Sequence, residues 1–179
     1  MKKSAKKPRK LSKTYLENAA LHYLGRYAST AANLRRVMRR KIQRSAKAHE
    51  QNPEEFLIIL EDMIERYVRS GLINDESFAR ARTDSLRRSG ASRKTIAVKL
   101  QIKGVERAMV DTVAKGTEED EMTAARVFAR KKQLGPHRKK KVQDVRKEDA
   151  KDIAKMARAG YSYDIIRTVL KNNTEEFFD

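Results

Sequence analysis

From Thr14 onward one rule governs this chain: apolar residues recur at helical spacing, and a single glycine closes most of the apolar stretches. Leu16, Ala20, Tyr23, Leu24 and Tyr27 fall on one face of a first helix. A second, capped by Ser29 or Thr30, turns Leu34, Val37, Met38 and Ile42 inward. The polar stretch 44–52 reads as a loop. Asn52-Pro53-Glu54-Glu55 then supplies a capping side chain, a proline at the first helical position and a following glutamate, three independent signals of a helix start. The stripe that follows is Phe56, Ile59, Leu60, Met63, Ile64, Tyr67 and Val68, and Gly71 suits the left-handed position that ends it.

The same grammar repeats. A helix from Asn74 or Asp75 places Phe78, Ala81, Ser85 and Leu86 inward and stops at Gly90. Ser92 caps the next, with Ile96, Ala97 and Leu100 inward and Gly104 at its end. A short helix carrying Met109, Val110 and Val113 stops at Gly116. Thr117 caps another that runs through Val127 and Phe128 to the break at Gly135-Pro136. After a basic stretch, His137 to Lys147, two helices over roughly 147–159 and 163–171 are split by Gly160. Alternating apolar runs and hairpin turns are absent, so the expected class is all-α.

Two segments align by residue type. Gly104-Val105 followed by Met109-Val110 and Val113-Ala114 parallels Gly160-Tyr161 followed by Ile165-Ile166 and Val169-Leu170. The Leu34–Ile42 stretch matches more loosely. We therefore read three tandem three-helix, helix-turn-helix-like repeats over 14–71, 72–116 and 117–172, the third with a basic interhelical segment. Residues 1–13 form a disordered basic tail, and 173–179 a short C-terminal tail. The basic tail serves either solubility or phosphate binding.

The inventory of chemistry is mostly one of exclusions. Cysteine is absent, which removes disulfides, thiolate zinc sites and cysteine nucleophiles. The three histidines, His22, His49 and His137, are scattered and make a metal site improbable. His22 is expected to pack against a neighbour. Glycines stand singly rather than in a phosphate-cradling loop. Glu61, Asp62 and Glu65 read as a solvated charge lattice among arginines rather than an acid/base pair. No apolar run approaches the length of a membrane span or a signal-peptide core. These features lead us to expect a non-enzymatic, cofactor-free, cytoplasmic binding protein, with no membrane partner.

A formal net charge of +18 bears on partners, since it attracts phosphate backbones, acidic protein surfaces or anionic membranes. The charge gathers in rows. Arg35 with Arg39, and Arg36 with Arg40 and Arg44, stripe the second helix. Arg93, Lys94, Lys99 and Lys103 form a smaller stripe. Arg130, Lys131, Lys132, Arg138, Lys139, Lys140 and Lys141 form a third concentration. A helix-turn-helix reader needs polar groups aimed at base edges near the start of its second helix. Asn33, Arg35 and Arg36 qualify, but the Ser92 helix offers mainly Arg93 and Lys94, which suits backbone contact better than a base code.

Particular residues also resemble a known family. Tyr15 to Ile42, Gly71-Leu72-Ile73-Asn74-Asp75 with Phe78-Ala79, Leu100 to Val105, and Ala159-Gly160-Tyr161-Ser162-Tyr163-Asp164-Ile165-Ile166 resemble the RecX family of RecA regulators, over about Leu16 to Leu170. Gly90-Ala91-Ser92 departs from the Gly-Pro that the family often has there, and the basic tail and the 44–52 stretch look extended. The resemblance implies a curved, elongated array of three-helix repeats. It implies binding in the groove of the RecA–single-stranded-DNA filament, with inhibition of ATP hydrolysis, strand exchange and co-protease activity. Single-stranded and possibly double-stranded DNA are further expected ligands, and the expected state is a monomer. The alternative is a sequence-nonspecific DNA- or RNA-binding protein that acts without RecA.

Overall fold

The computed structural model describes residues 7–139 and 143–171, and within them the chain is all-helical. The helices are α1 (Lys13–Leu24), α2 (Ala31–His49), α3 (Pro53–Arg69), α4 (Asp75–Arg88), α5 (Arg93–Ile102), α6 (Arg107–Lys115), α7 (Glu118–Lys132), α8 (Val145–Arg158) and α9 (Tyr163–Lys171), with one 3-10 turn at Gly135–His137. No strand occurs among the described residues.

Local chemistry sets most of the helix starts. Thr30 accepts the Asn33 N–H at 3.0 Å, and Asn52 accepts that of Glu54 at 3.0 Å ahead of Pro53. Asn74 accepts the Ser77 N–H at 2.8 Å, and Ser92 that of Thr95 at 3.2 Å. Thr117 and Asp120 exchange two bonds in a full capping box. At the other end of α4 the chain turns through Gly90, whose φ of 84° is closed to most side chains.

The chain forms two compact units. The first takes in residues up to Phe78 together with Lys103–Val105. Its core joins Leu16 and Ala20 of α1, Leu34, Met38 and Ile42 of α2, and Leu60, Met63 and Ile64 of α3. Each large apolar side chain fully withdrawn from water there contributes about 1.5–3 kcal/mol before conformational entropy is counted. The second unit takes in Ala79–Ile102 and the chain from Glu106 on. It buries Ile96 and Leu100 of α5, Val110 of α6, and a cluster of Ala125, Ala129, Leu134, Met156, Ile166 and Val169.

Several sequence expectations need correction. The 44–52 stretch is not a loop: α2 continues to His49, because Ser45 and Ala46 extend its buried face beyond Ile42. Helix α1 stops at Leu24, and Tyr27 is exposed. Val68 is also exposed, leaving the α3 stripe one residue shorter. In α4 the inward face is Ala79, Thr83 and Leu86, while Ala81 and Ser85 point to solvent. Helix α7 ends at Lys132, with Gln133 in the left-handed conformation, ahead of Gly135. His22 is exposed rather than packed.

The basic tail also differs from expectation. Leu11 is buried in the first core, and its N–H and carbonyl bond the Gln51 side chain at 2.8 and 3.1 Å. Ser45 donates to the Arg9 carbonyl, and His49 Nε2 lies 2.7 Å from the Pro8 carbonyl oxygen. Residues 7–12 are therefore a strap laid against the end of α2, and residue 13 begins α1. Residues 1–6 and the 173–179 tail lie outside the described residues.

Candidate nucleic-acid interface

On α2 the buried Leu34, Met38 and Ile42 force the intervening arginines outward. The two rows then part company. Arg35 Nε donates to both oxygens of Glu61 on α3, at 3.0 and 2.7 Å, and Arg39 Nη2 reaches the same carboxylate at 3.2 Å. Glu61 thus belongs to an interhelical clamp, whereas Asp62 makes the i,i+4 pair with Arg66 at 3.3 Å. Arg36 donates to the Asn33 side chain at 3.1 Å. Arg40 and Arg44 pair with no described carboxylate and line a groove of about 400 Å³ with Pro8, Tyr15, Val37 and Lys41. Both are exposed.

The second stripe divides as well. The Arg93 N–H donates to both oxygens of Glu121 at 3.1 and 3.0 Å, and its Nε stands 3.8 Å from that carboxylate. Glu121 is only 5% exposed. Burial pushes its carboxyl above the ordinary value, against the opposing pull of the Arg93 N–H and of the Arg93 and Arg87 charges. Arg93 is therefore a structural partner first. Lys94 and Lys99 line a groove of about 360 Å³ with Thr95, Val98 and Ile102. Lys103 falls in the other compact unit, where its carbonyl accepts from Thr30.

The third concentration also contains structural charge. Arg138 donates from Nε and Nη2 to Asp152 at 2.9 and 2.7 Å, and from Nη2 to Asp149 at 2.5 Å. Asp152, itself buried, also accepts the Gly135 N–H at 2.8 Å. Burial works against the Arg138 charge, but the two carboxylates outweigh it and hold the guanidinium above its ordinary value. Lys131 donates to the Ser89 carbonyl at 3.0 Å, while Arg130 and Lys139 are exposed. Lys140 and Lys141 lie outside the described residues.

The pairings of Glu61, Glu121 and Asp152 are not legible in the sequence, because each partner arginine lies 14 or more positions away. Sequence reasoning also missed Lys41 and Tyr15, which the structure sets beside Arg40. No group of side chains suited to a metal ion, and no helix long and apolar enough to cross a membrane, occurs among the described residues.

No protein-family model matches the chain. It is 48% identical over 171 residues to the regulatory protein RecX of Myxococcus xanthus, covering 94% of this chain and 90% of that one. It is 31% identical over 166 residues to the regulatory protein RecX of Agrobacterium fabrum, covering 93% and 87%. Its fold is similar to that of the crystal structure of RecX from Lactobacillus salivarius, with a TM-score of 0.64 at 21% identity over 88% of this chain and 94% of that one.

Proposed function

We infer the function from one premise: this chain belongs to the RecX family of regulatory proteins. It regulates RecA, and does so by binding rather than by catalysis. In our proposal it lies in the groove of the RecA–single-stranded-DNA filament and lowers ATP hydrolysis, strand exchange and co-protease activity. The observation that carries this reading is the 48% identity to a RecX protein across 94% of the chain.

The charge distribution supports it physically. A filament groove presents nucleic-acid phosphates beside protein, and a ligand for it needs cations not already spent on its own carboxylates. Arg40, Arg44, Lys94, Lys99, Arg130 and Lys139 meet that requirement: each is exposed and pairs with no described carboxylate. Arg35, Arg39, Arg93 and Arg138 do not, and act mainly within the fold. A series of three-helix repeats, the division we propose for the chain, would spread these contacts along an extended partner.

The test is strand exchange by RecA in the presence of stoichiometric protein. The proposal expects product formation to fall, and to recover with an Arg40→Ala/Arg44→Ala variant. Unchanged exchange with the native chain would overturn it.

A further inference from the structure

The strap at the start of the chain builds something that the family reading does not require. Its polar contacts with Ser45, His49 and Gln51 fix the backbone of Pro8, Arg9 and Leu11 against α2. Two grooves result. One, of about 400 Å³, is lined by Pro8, Tyr15, Val37, Arg40, Lys41 and Arg44. The other, of about 530 Å³, includes Arg9, Lys10, Asn18 and His22. They meet at Tyr15 and Lys41, which line both. Lys41 Nζ sits 5.4 Å from the Tyr15 ring centre and 3.4 Å from its hydroxyl oxygen.

The charge lining this double groove is of one sign. Neither groove is lined by a carboxylate. None of Arg9, Lys10, Arg40, Lys41 or Arg44 pairs with a described carboxylate, although elsewhere Arg35, Arg66, Arg87, Arg93 and Arg138 all do. Five cations brought together without internal compensation repel one another, and a bound polyanion removes that repulsion. The aromatic ring at the junction narrows the class of ligand. A cationic groove that follows a backbone, interrupted by a ring on which a base can stack, is how proteins hold single-stranded nucleic acid. An acidic peptide would use the cations but not the ring.

We infer that the double groove beside Tyr15 binds a nucleic-acid single strand, with Arg9, Lys10, Arg40, Lys41 and Arg44 on its phosphates and Tyr15 against a base. This deepens the reading above by assigning where a strand is gripped. Binding is measured without RecA, so failure here leaves the RecA reading standing.

The experiment is a fluorescence-anisotropy titration of a labelled thymidine 20-mer with the full chain at several salt concentrations. Arg9→Gln/Lys10→Gln/Lys41→Gln is expected to weaken binding at least tenfold. It is also expected to reduce the slope of log affinity against log salt by about 2, since each single-strand phosphate contact contributes about 0.7. The charge-matched control Arg107→Gln/Arg126→Gln/Lys151→Gln is expected to stay within threefold of the native chain. Equal losses in both variants would show a general charge effect and overturn the site. Tyr15→Leu should weaken binding about tenfold, with Tyr15→Phe close to native. If Tyr15→Leu fails to fold, as judged by circular dichroism, the lysine and arginine variants decide alone. Competition by a poly-glutamate peptide as effective as that by unlabelled thymidine 20-mer would also overturn the proposal.

Discussion

Arg35 of α2 and Glu61 of α3 share one clamp, with Nε 3.0 and 2.7 Å from the two carboxylate oxygens. With Arg39 on the same carboxylate, two of the five α2 arginines expected to grip a partner are engaged inside the fold. Glu61→Gln should release both. DNA affinity at low salt is expected to rise about twofold to fivefold. Stability should change by less than about 1 kcal/mol, because the clamp is half exposed. Anisotropy and urea denaturation check the two halves.

The raised carboxyl of Glu121 gives a prediction with a definite sign. Its folded value lies above the unfolded value of 4.5, because burial penalises the charged form. The protonated form is therefore favoured by folding. Its contribution is full below the unfolded value and is lost as pH rises through the folded one. In that window the native chain should lose stability with rising pH relative to Glu121→Gln. Thermal melts of the two proteins across this range would show parallel curves if the account is wrong.

Arg138 neutralises Asp152, which is buried. Removing one member of a withdrawn pair leaves the other uncompensated. Arg138→Ala is expected to cost about 2–3 kcal/mol in urea denaturation. Arg138→Lys should recover only part of this, since one ammonium cannot reproduce the guanidinium fork across Asp149 and Asp152.

Gly90 and Gly71 both have positive φ, 84° and 76°, but their surroundings differ. A Cβ at Gly90 would stand 2.8 Å from the Phe128 backbone nitrogen, while one at Gly71 meets nothing within 4 Å. Gly71→Ala should cost about 1 kcal/mol from backbone conformation alone. Gly90→Ala should cost at least about 2 kcal/mol, because the neighbouring helix must also shift. Denaturation midpoints of the two variants give the comparison.

What was legible in the sequence follows from the range of each interaction. The starts of α3 and α7 were readable because Asn52-Pro53 and Thr117 act within three residues of themselves. The all-helical class followed from the apolar period. The end of α2 was not readable: Ser45 and Ala46 are buried but small and weakly apolar, so the period fades while the helix continues. The inward face of α4 is obscure in the sequence for the same reason, since Ala79 and Thr83 carry little more apolar signal than Ala81 and Ser85. Cation rows were legible as rows. Which of them were engaged was not, because Glu61, Glu121 and Asp152 come from other helices. The strap reads as a free tail in the sequence because charge dominates its composition, and its anchors, Gln51 and Ser45, are about forty positions away.

The most direct measurement of the central claim is the ATP hydrolysis rate of a preassembled RecA–single-stranded-DNA filament as this chain is titrated in. The account predicts a fall in rate that reaches its limit near stoichiometric protein and is weakened by Arg40→Ala/Arg44→Ala. A rate unchanged up to stoichiometric amounts would contradict it.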